Sequence, residues 1–129
     1  MKGFEDLEVW KEARTLRKII SELCNSFPSE EKYKLIDQIL RSSRSVTANI
    51  AEGHGRFHFQ ENIQYCRQAR GSLTETLDHL LCAFDKEYIG EAELNTLKQQ
   101  YSLVLRLLNG YISYLKKRKS DTIAKIETN

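Results

Sequence analysis

Residues 41–56 read RSSRSVTANIAEGHGR, a run rich in Arg, Ser and small residues that ends on two glycines. Its apolar members continue a period already set upstream: Ile36, Ile39, Leu40, Ser43, Val46, Thr47 and Ile50 recur every three or four residues, the spacing of one face of an α-helix. At 100° per residue, Arg41, Ser45, Ala48, Asn49 and Glu52 gather on a second face, roughly opposite the first. That face is either solvated, the usual fate of polar helix surface, or a packing contact, which its lack of Lys and its small residues favour. Ser29, ahead of Glu30 and Glu31, reads as an N-cap with carboxylates in the first turn. Gly53 reads as the left-handed C′ residue that ends the helix. These bounds predict a helix of roughly 24 residues, about 36 Å long.

The same period appears three more times. Val9, Ala13, Leu16, Ile20, Leu23 and Phe27 form the first, stopped by Phe27-Pro28-Ser29. After a short link from His54 to His58, another runs through Phe59, Ile63, Cys66, Arg70, Leu73, Leu77, Leu81 and Phe84, with Gly90 closing it or the turn that follows. This helix too has a polar face, of Glu61, Tyr65, Gln68, Ser72, Glu75 and His79, with Gly71 at its margin. The last stripe is Leu94, Leu97, Tyr101, Val104, Leu105, Leu108, Ile112 and Leu115, ending near the basic run Lys116, Lys117, Arg118 and Lys119. Residues 120–129, SDTIAKIETN, read as a flexible C-terminal tail. Four long helices joined by short links predict an all-α protein, an antiparallel up-and-down four-helix bundle over residues 1–119.

A chain of 129 residues with one Pro, six Gly and 40% hydrophobic residues suits a single helical domain. Its net charge of +2 is too small to announce a nucleic-acid binder by itself. Cys24, Cys66 and Cys82 are odd in number and form no C-x-x-C pair, so they read as reduced core residues rather than disulfides or zinc ligands. The N-terminal MKGFEDLEVW carries no apolar h-region, and the run from Leu103 to Ile112 is broken by Arg106 and Asn109. A cytoplasmic protein without membrane contact is expected.

Candidate chemistry is sparse. His54 and His58 would need one helical face to share a metal, which Gly53 and Gly55 argue against, and no third or fourth ligand is marked. Gly53-His54-Gly55-Arg56 lacks the Lys-Ser/Thr pair of a phosphate-binding loop. Asp78 and His79 are neighbours that point to different sides, and no nucleophile has an evident base. The expectation is therefore a non-enzymatic protein without metal or cofactor. Arg44, Arg56, Lys116, Lys117, Arg118 and Lys119 are the candidate nucleic-acid contacts, with Tyr111 and Tyr114 placed to stack on bases. The alternative for the last four is that they complement the dipole at the helix end. Leu103, Leu107, Tyr111 and Tyr114 form an apolar flank beyond the core stripe of the fourth helix, a candidate oligomer interface. Arg41 and Glu75 come to similar heights on antiparallel helices and are expected to share a charge-assisted hydrogen bond, within or between subunits.

Several ordered motifs carry a resemblance. Leu40-Arg41, Ser45, Asn49-Ile50-Ala51-Glu52-Gly53 and Gly55-Arg56, preceded by Phe4 to Trp10 and followed by Ala69-Arg70-Gly71-Ser72 with Glu75, resemble the family called S23 ribosomal protein or 23S rRNA intervening-sequence protein. The similarity spans about residues 4 to 118. It implies a left-handed up-and-down four-helix bundle, and relatives that assemble as ring-shaped homopentamers. The family takes its name from reading frames inside intervening sequences of bacterial 23S rRNA genes. A more distant related bundle is an accessory factor of a retroelement reverse transcriptase. The chain departs from the family pattern at Arg44, where an apolar residue is usual, and at Thr47, where proline is frequent. The expected function is a homo-oligomeric scaffold, pentameric on the resemblance, that binds RNA or a ribonucleoprotein. The competing expectation is a protein-interaction module that does not touch nucleic acid.

Overall fold

The computed structural model describes residues 3–128, and every regular element among them is helical. Four long helices, α1 (Glu8–Leu23), α2 (Leu35–His54), α3 (Phe59–Asp85) and α4 (Glu91–Thr128), are supplemented by short 3₁₀ turns at Phe4–Asp6, Cys24–Ser26 and Ser29–Glu31. Each long helix packs on two others in a closed cycle, α1 on α2, α2 on α3, α3 on α4 and α4 on α1. Side-chain bonds across the seams run in opposite senses along the chain. On α2 and α3, Ser45 meets Ser72 and Ser42 meets Thr76. On α3 and α4, Asn62 reaches Tyr111, Arg70 reaches Asn109 and Gln60 reaches Lys119. On these two seams the helices run in opposite directions, as short links require.

The core follows the stripes. Leu16, Ile20, Ile39, Val46, Ile50, Ile63, Cys66, Leu73, Val104 and Leu108 are buried along the axis. The stripe of α3 is displaced from the expected one in its second half: Thr76, Leu80 and Ala83 are buried, while Leu77 and Leu81 are half-buried and Phe84 is exposed. The cause lies on α2. Thr76 Oγ1 sits 2.9 Å from Ser42 Oγ and 2.8 Å from the Ser72 carbonyl, so this seam is closed by buried hydroxyls that a reading of hydrophobic residues passes over. Thr47 donates to the Arg44 carbonyl at 3.1 Å and accepts from Arg17 of α1 at 2.9 Å.

Three expected boundaries move. Ser29 opens a 3₁₀ turn and makes no capping bond; Lys34, at φ −120° and ψ −105°, interrupts the backbone before α2 begins at Leu35. Gly53 is not a left-handed terminator, since no described glycine has positive φ, and α2 runs on through His54. Gly53 is there because α3 comes too close for a side chain: a Cβ would lie 2.7 Å from Asn62 Oδ1 and 2.8 Å from Tyr65 Cβ. Residues 120–128, expected as a tail, continue α4 as exposed helix; Asn129 lies outside the described residues. At 38 residues α4 is about 57 Å long, and since Gln60 at the start of α3 pairs with Lys119, its last turns project past the bundle. Among the described residues, no helix is long and apolar enough to cross a membrane.

Candidate nucleic-acid interface

One end of the bundle collects aromatic, histidine and basic side chains from three places. The last residue of α2 supplies His54 and the α2–α3 link Arg56, Phe57 and His58; the start of α3 supplies Phe59 and Asn62; α4 supplies Tyr111, Tyr114 and Leu115. Together with Leu7 ahead of α1 they line a cavity of about 290 Å³. Tyr111 and Tyr114, one turn apart, lie nearly parallel at 13° with centroids 6.2 Å apart. Asn62 Nδ2 donates to the Tyr111 oxygen at 3.1 Å. Burial, only partly offset by the Asn62 bond, raises the Tyr111 phenol above its ordinary range, so it keeps a proton to donate. Phe57 is 94% and Tyr114 53% exposed.

Beside this cup, on the other flank of the α3–α4 seam, Gln60, Ile63, Arg67, Lys116, Lys119, Ser120 and Ile123 line a second depression of about 400 Å³. It has three cations and no carboxylate in its lining. Lys119 Nζ donates to Gln60 Oε1 at 2.6 Å, and the Arg118 guanidinium stands 5.8 Å from the Phe59 ring. Lys116, Arg118 and Lys119 of the basic run are thus laid against the start of α3, while Lys117 is exposed. The run is not at a helix end, because α4 runs on to Thr128 and Lys125 is the base of its last turn. The dipole explanation for Lys116 to Lys119 fails on that length, since the field is felt only within the last turn.

The other expected contacts separate. Arg56 is committed within the chain: its Nη2 donates to Glu52 at 2.8 Å and to the Tyr65 phenol at 2.5 Å, Glu61 lies 3.9 Å from its Nη1, and the guanidinium covers the Tyr65 ring at 4.9 Å. Two carboxylates leave it little net charge to offer. Arg44 is exposed on α2 about 15 Å from His54 along the helix axis, and does not join the cluster. Arg67, which does, falls on no stripe of the sequence, and the α3–α4 packing is what brings it beside Lys116 and Lys119. Among the described residues no group of three metal-ligating side chains forms around His54 and His58.

The polar face of α2 and α3 divides in the same way. Ser45 and Ser72 meet at 2.9 Å, and Asn49 Nδ2 donates to the Ser45 carbonyl at 2.9 Å and its hydroxyl at 3.0 Å. These residues, with Gly53, close the α2–α3 seam within one chain. Within one chain Arg41 and Glu75 do not meet. Arg41, 77% exposed, pairs with Asp37 at 3.6 Å, and Glu75 with His79 at 3.1 Å; each finds a partner one turn along its own helix, which costs less ordering than a bond across the seam. On α4, Leu107 and Tyr111 pack partly against the core while Leu103 is half-buried and Tyr114 exposed.

A closed cycle of four helices, with an aromatic cup and a basic groove at one end, places the chain in the class of all-α four-helix bundles. Residues 5–110 match the family described as 23S rRNA-intervening sequence protein, and the chain belongs to that family. Among solved structures, one from Bacteroides thetaiotaomicron, described as a protein with unknown function from the S23 ribosomal protein family, is similar at 24% identity with a TM-score of 0.75. The likeness covers 81% of this chain and 95% of that one, and it is a likeness of fold. A comparison with curated proteins finds no match.

Proposed function

We propose that the protein is a non-enzymatic, self-associating helical scaffold that holds RNA or a ribonucleoprotein at the basic end of its bundle. The observation that carries the reading is the convergence of Arg67, Lys116 and Lys119 in a groove whose lining has no acidic residue. Cations left without carboxylates are available to replace the counterions of a phosphate backbone, and their effect is multiplied when copies assemble. The family's name, which refers to 23S rRNA, is consistent with this and adds no partner of its own. Fluorescence anisotropy with a hairpin derived from rRNA is the test. Binding should be sequence-tolerant and fall steeply with salt, and replacing Lys116, Lys117, Arg118 and Lys119 with Gln should weaken it and lower the salt slope by about two to three. No binding at about 50 mM salt, where phosphate contacts are strongest, would overturn the reading.

A second reading has one observation in its favour. At the opposite end, Ile19, Leu23, Ala92, Glu93, Thr96 and Leu97 line a mostly apolar groove of about 280 Å³ between α1 and α4, the kind of surface on which a protein segment docks. If the RNA test fails, the protein-interaction module takes its place.

A further inference from the structure

The cup and the groove share walls. Phe59 lines the cup and Gln60, the next residue, lines the groove; on α4 the same is true of Leu115 and Lys116. Consecutive residues on two helices thus form a low ridge, with rings on one side and cations on the other. The cup is also chemically open. Tyr111 accepts from Asn62 and keeps its own phenolic proton, and among the described residues the imidazoles of His54 and His58 carry no hydrogen bond, the His58 ring standing edge-on to Phe57 at 5.0 Å. Tyr114 and Phe57 stand exposed at its rim.

We propose that this end of the bundle is a two-part site for single-stranded RNA, in which the α3–α4 groove carries phosphates and the adjoining cup takes one unstacked base. The inference rests on the RNA reading above and sharpens it, because an anion groove alone would serve a duplex equally well. Rings recognise a base by its face, and in a duplex every face is covered by the next pair; the A-form major groove is moreover too deep and narrow for side chains to enter. A base that has left the stack meets Tyr114 or Phe57 face-on, a sequence-tolerant contact. The Tyr111 phenol and the two imidazoles then meet its polar edge. A cavity of about 290 Å³ lies at the small end of the range for small-molecule sites, about 300–1,000 Å³, which suits one base and not a stack of several.

The experiment uses the full chain and two probes of one sequence: an unpaired oligoribonucleotide carrying a fluorescent purine analogue, and the same strand in a blunt duplex. The single strand should bind at least about tenfold more tightly, with the analogue quenched on binding as stacking requires. Phe57→Ala with Tyr114→Ala, both at exposed positions that leave the core intact, should remove the preference and the quenching and preserve the salt slope. Arg67→Gln with Lys116→Gln should do the reverse, lowering the slope by about one and keeping the preference. Equal affinity for both probes, with the aromatic substitutions neutral, would overturn the two-part site and leave RNA binding standing. Absence of binding to either probe would overturn both.

Discussion

Tyr88 and Glu31 stand 57 residues apart in sequence, and the Tyr88 phenol donates to Glu31 Oε2 at 2.8 Å, with Lys86 Nζ 3.8 Å from the same oxygen. The phenol's hydrogen bond, reinforced by the charge of Lys86, holds the Glu31 carboxyl below its ordinary 4.5, and the same bond raises Tyr88 above its ordinary 10. On the acid side the unfolded chain takes up the Glu31 proton first, so this contribution is complete above about pH 4.5 and is lost as pH falls through the folded value. On the alkaline side the unfolded chain loses the Tyr88 proton first, so stability declines as pH rises beyond 10. Tyr88→Phe should flatten both limbs, measured by urea unfolding between about pH 3 and pH 11. In the sequence Glu31 looks like a carboxylate in a helix's first turn. Its real partner is not legible there, because periodicity reports which face a residue occupies and says nothing of what comes to meet it from 57 positions away. The place of Arg67 beside Lys116 and Lys119 is illegible for the same reason, as is the pairing of Arg56 with Tyr65.

Between helices, the α2–α3 seam combines buried apolar residues with close approach at small ones. The close approaches are Ser45 with Ser72, Ser42 with Thr76, and Gly53 against Asn62 and Tyr65. A methyl group at Gly53 would have to push apart two backbones fixed by those hydroxyl bonds, since a Cβ there lies under 3 Å from both Asn62 Oδ1 and Tyr65 Cβ. Gly53→Ala should therefore destabilise the fold by about 1–3 kcal/mol, the cost of overpacking, and lower the thermal midpoint. Gly71→Ala is the control: nothing lies within 4 Å of its would-be Cβ, and in the middle of a helix the change should stabilise the chain by about 0.5–1 kcal/mol. The existence and order of the four helices, and the return of α3 along α2 and of α4 along α3, were legible, because the stripes are long and the links short. Their ends were not. Lys34 breaks the helix by backbone angles that its side chain does not advertise. Gly53 carries the composition of a terminator and serves as a spacer. Residues 120–128 project beyond the bundle and so need no core stripe, which left nothing to separate exposed helix from tail.

On the outer surface of α4, Leu103, Leu107, Gly110 and Tyr114 follow one another at intervals of four, three and four residues and so share a face. Gly110 is exposed, with nothing within 4 Å of a Cβ placed there. Inside a single chain it is a loss without compensation, about 0.5–1 kcal/mol against Ala in a helix interior. A second copy packed closely on the Leu103–Gly110 part of this face would supply the compensation, by letting two backbones approach and by covering Leu103 and the outer side of Leu107, leaving Tyr114 to the cup. The proposed assembly therefore gives two substitutions opposite signatures. Gly110→Ala should raise the helical stability of the isolated chain yet weaken self-association. Leu103→Glu should leave the fold intact, since Leu103 is half-exposed on one chain, and drive the assembly towards single subunits, because a carboxylate trapped between copies loses its hydration without a partner. Leu107→Glu would be a poorer probe, as Leu107 also packs on the core. Light scattering at micromolar concentration distinguishes the outcomes: a wild-type mass several times 15.0 kDa that falls for both variants supports the interface. A wild-type mass equal to one chain removes the self-association on which the multiplied charge of the basic end depends.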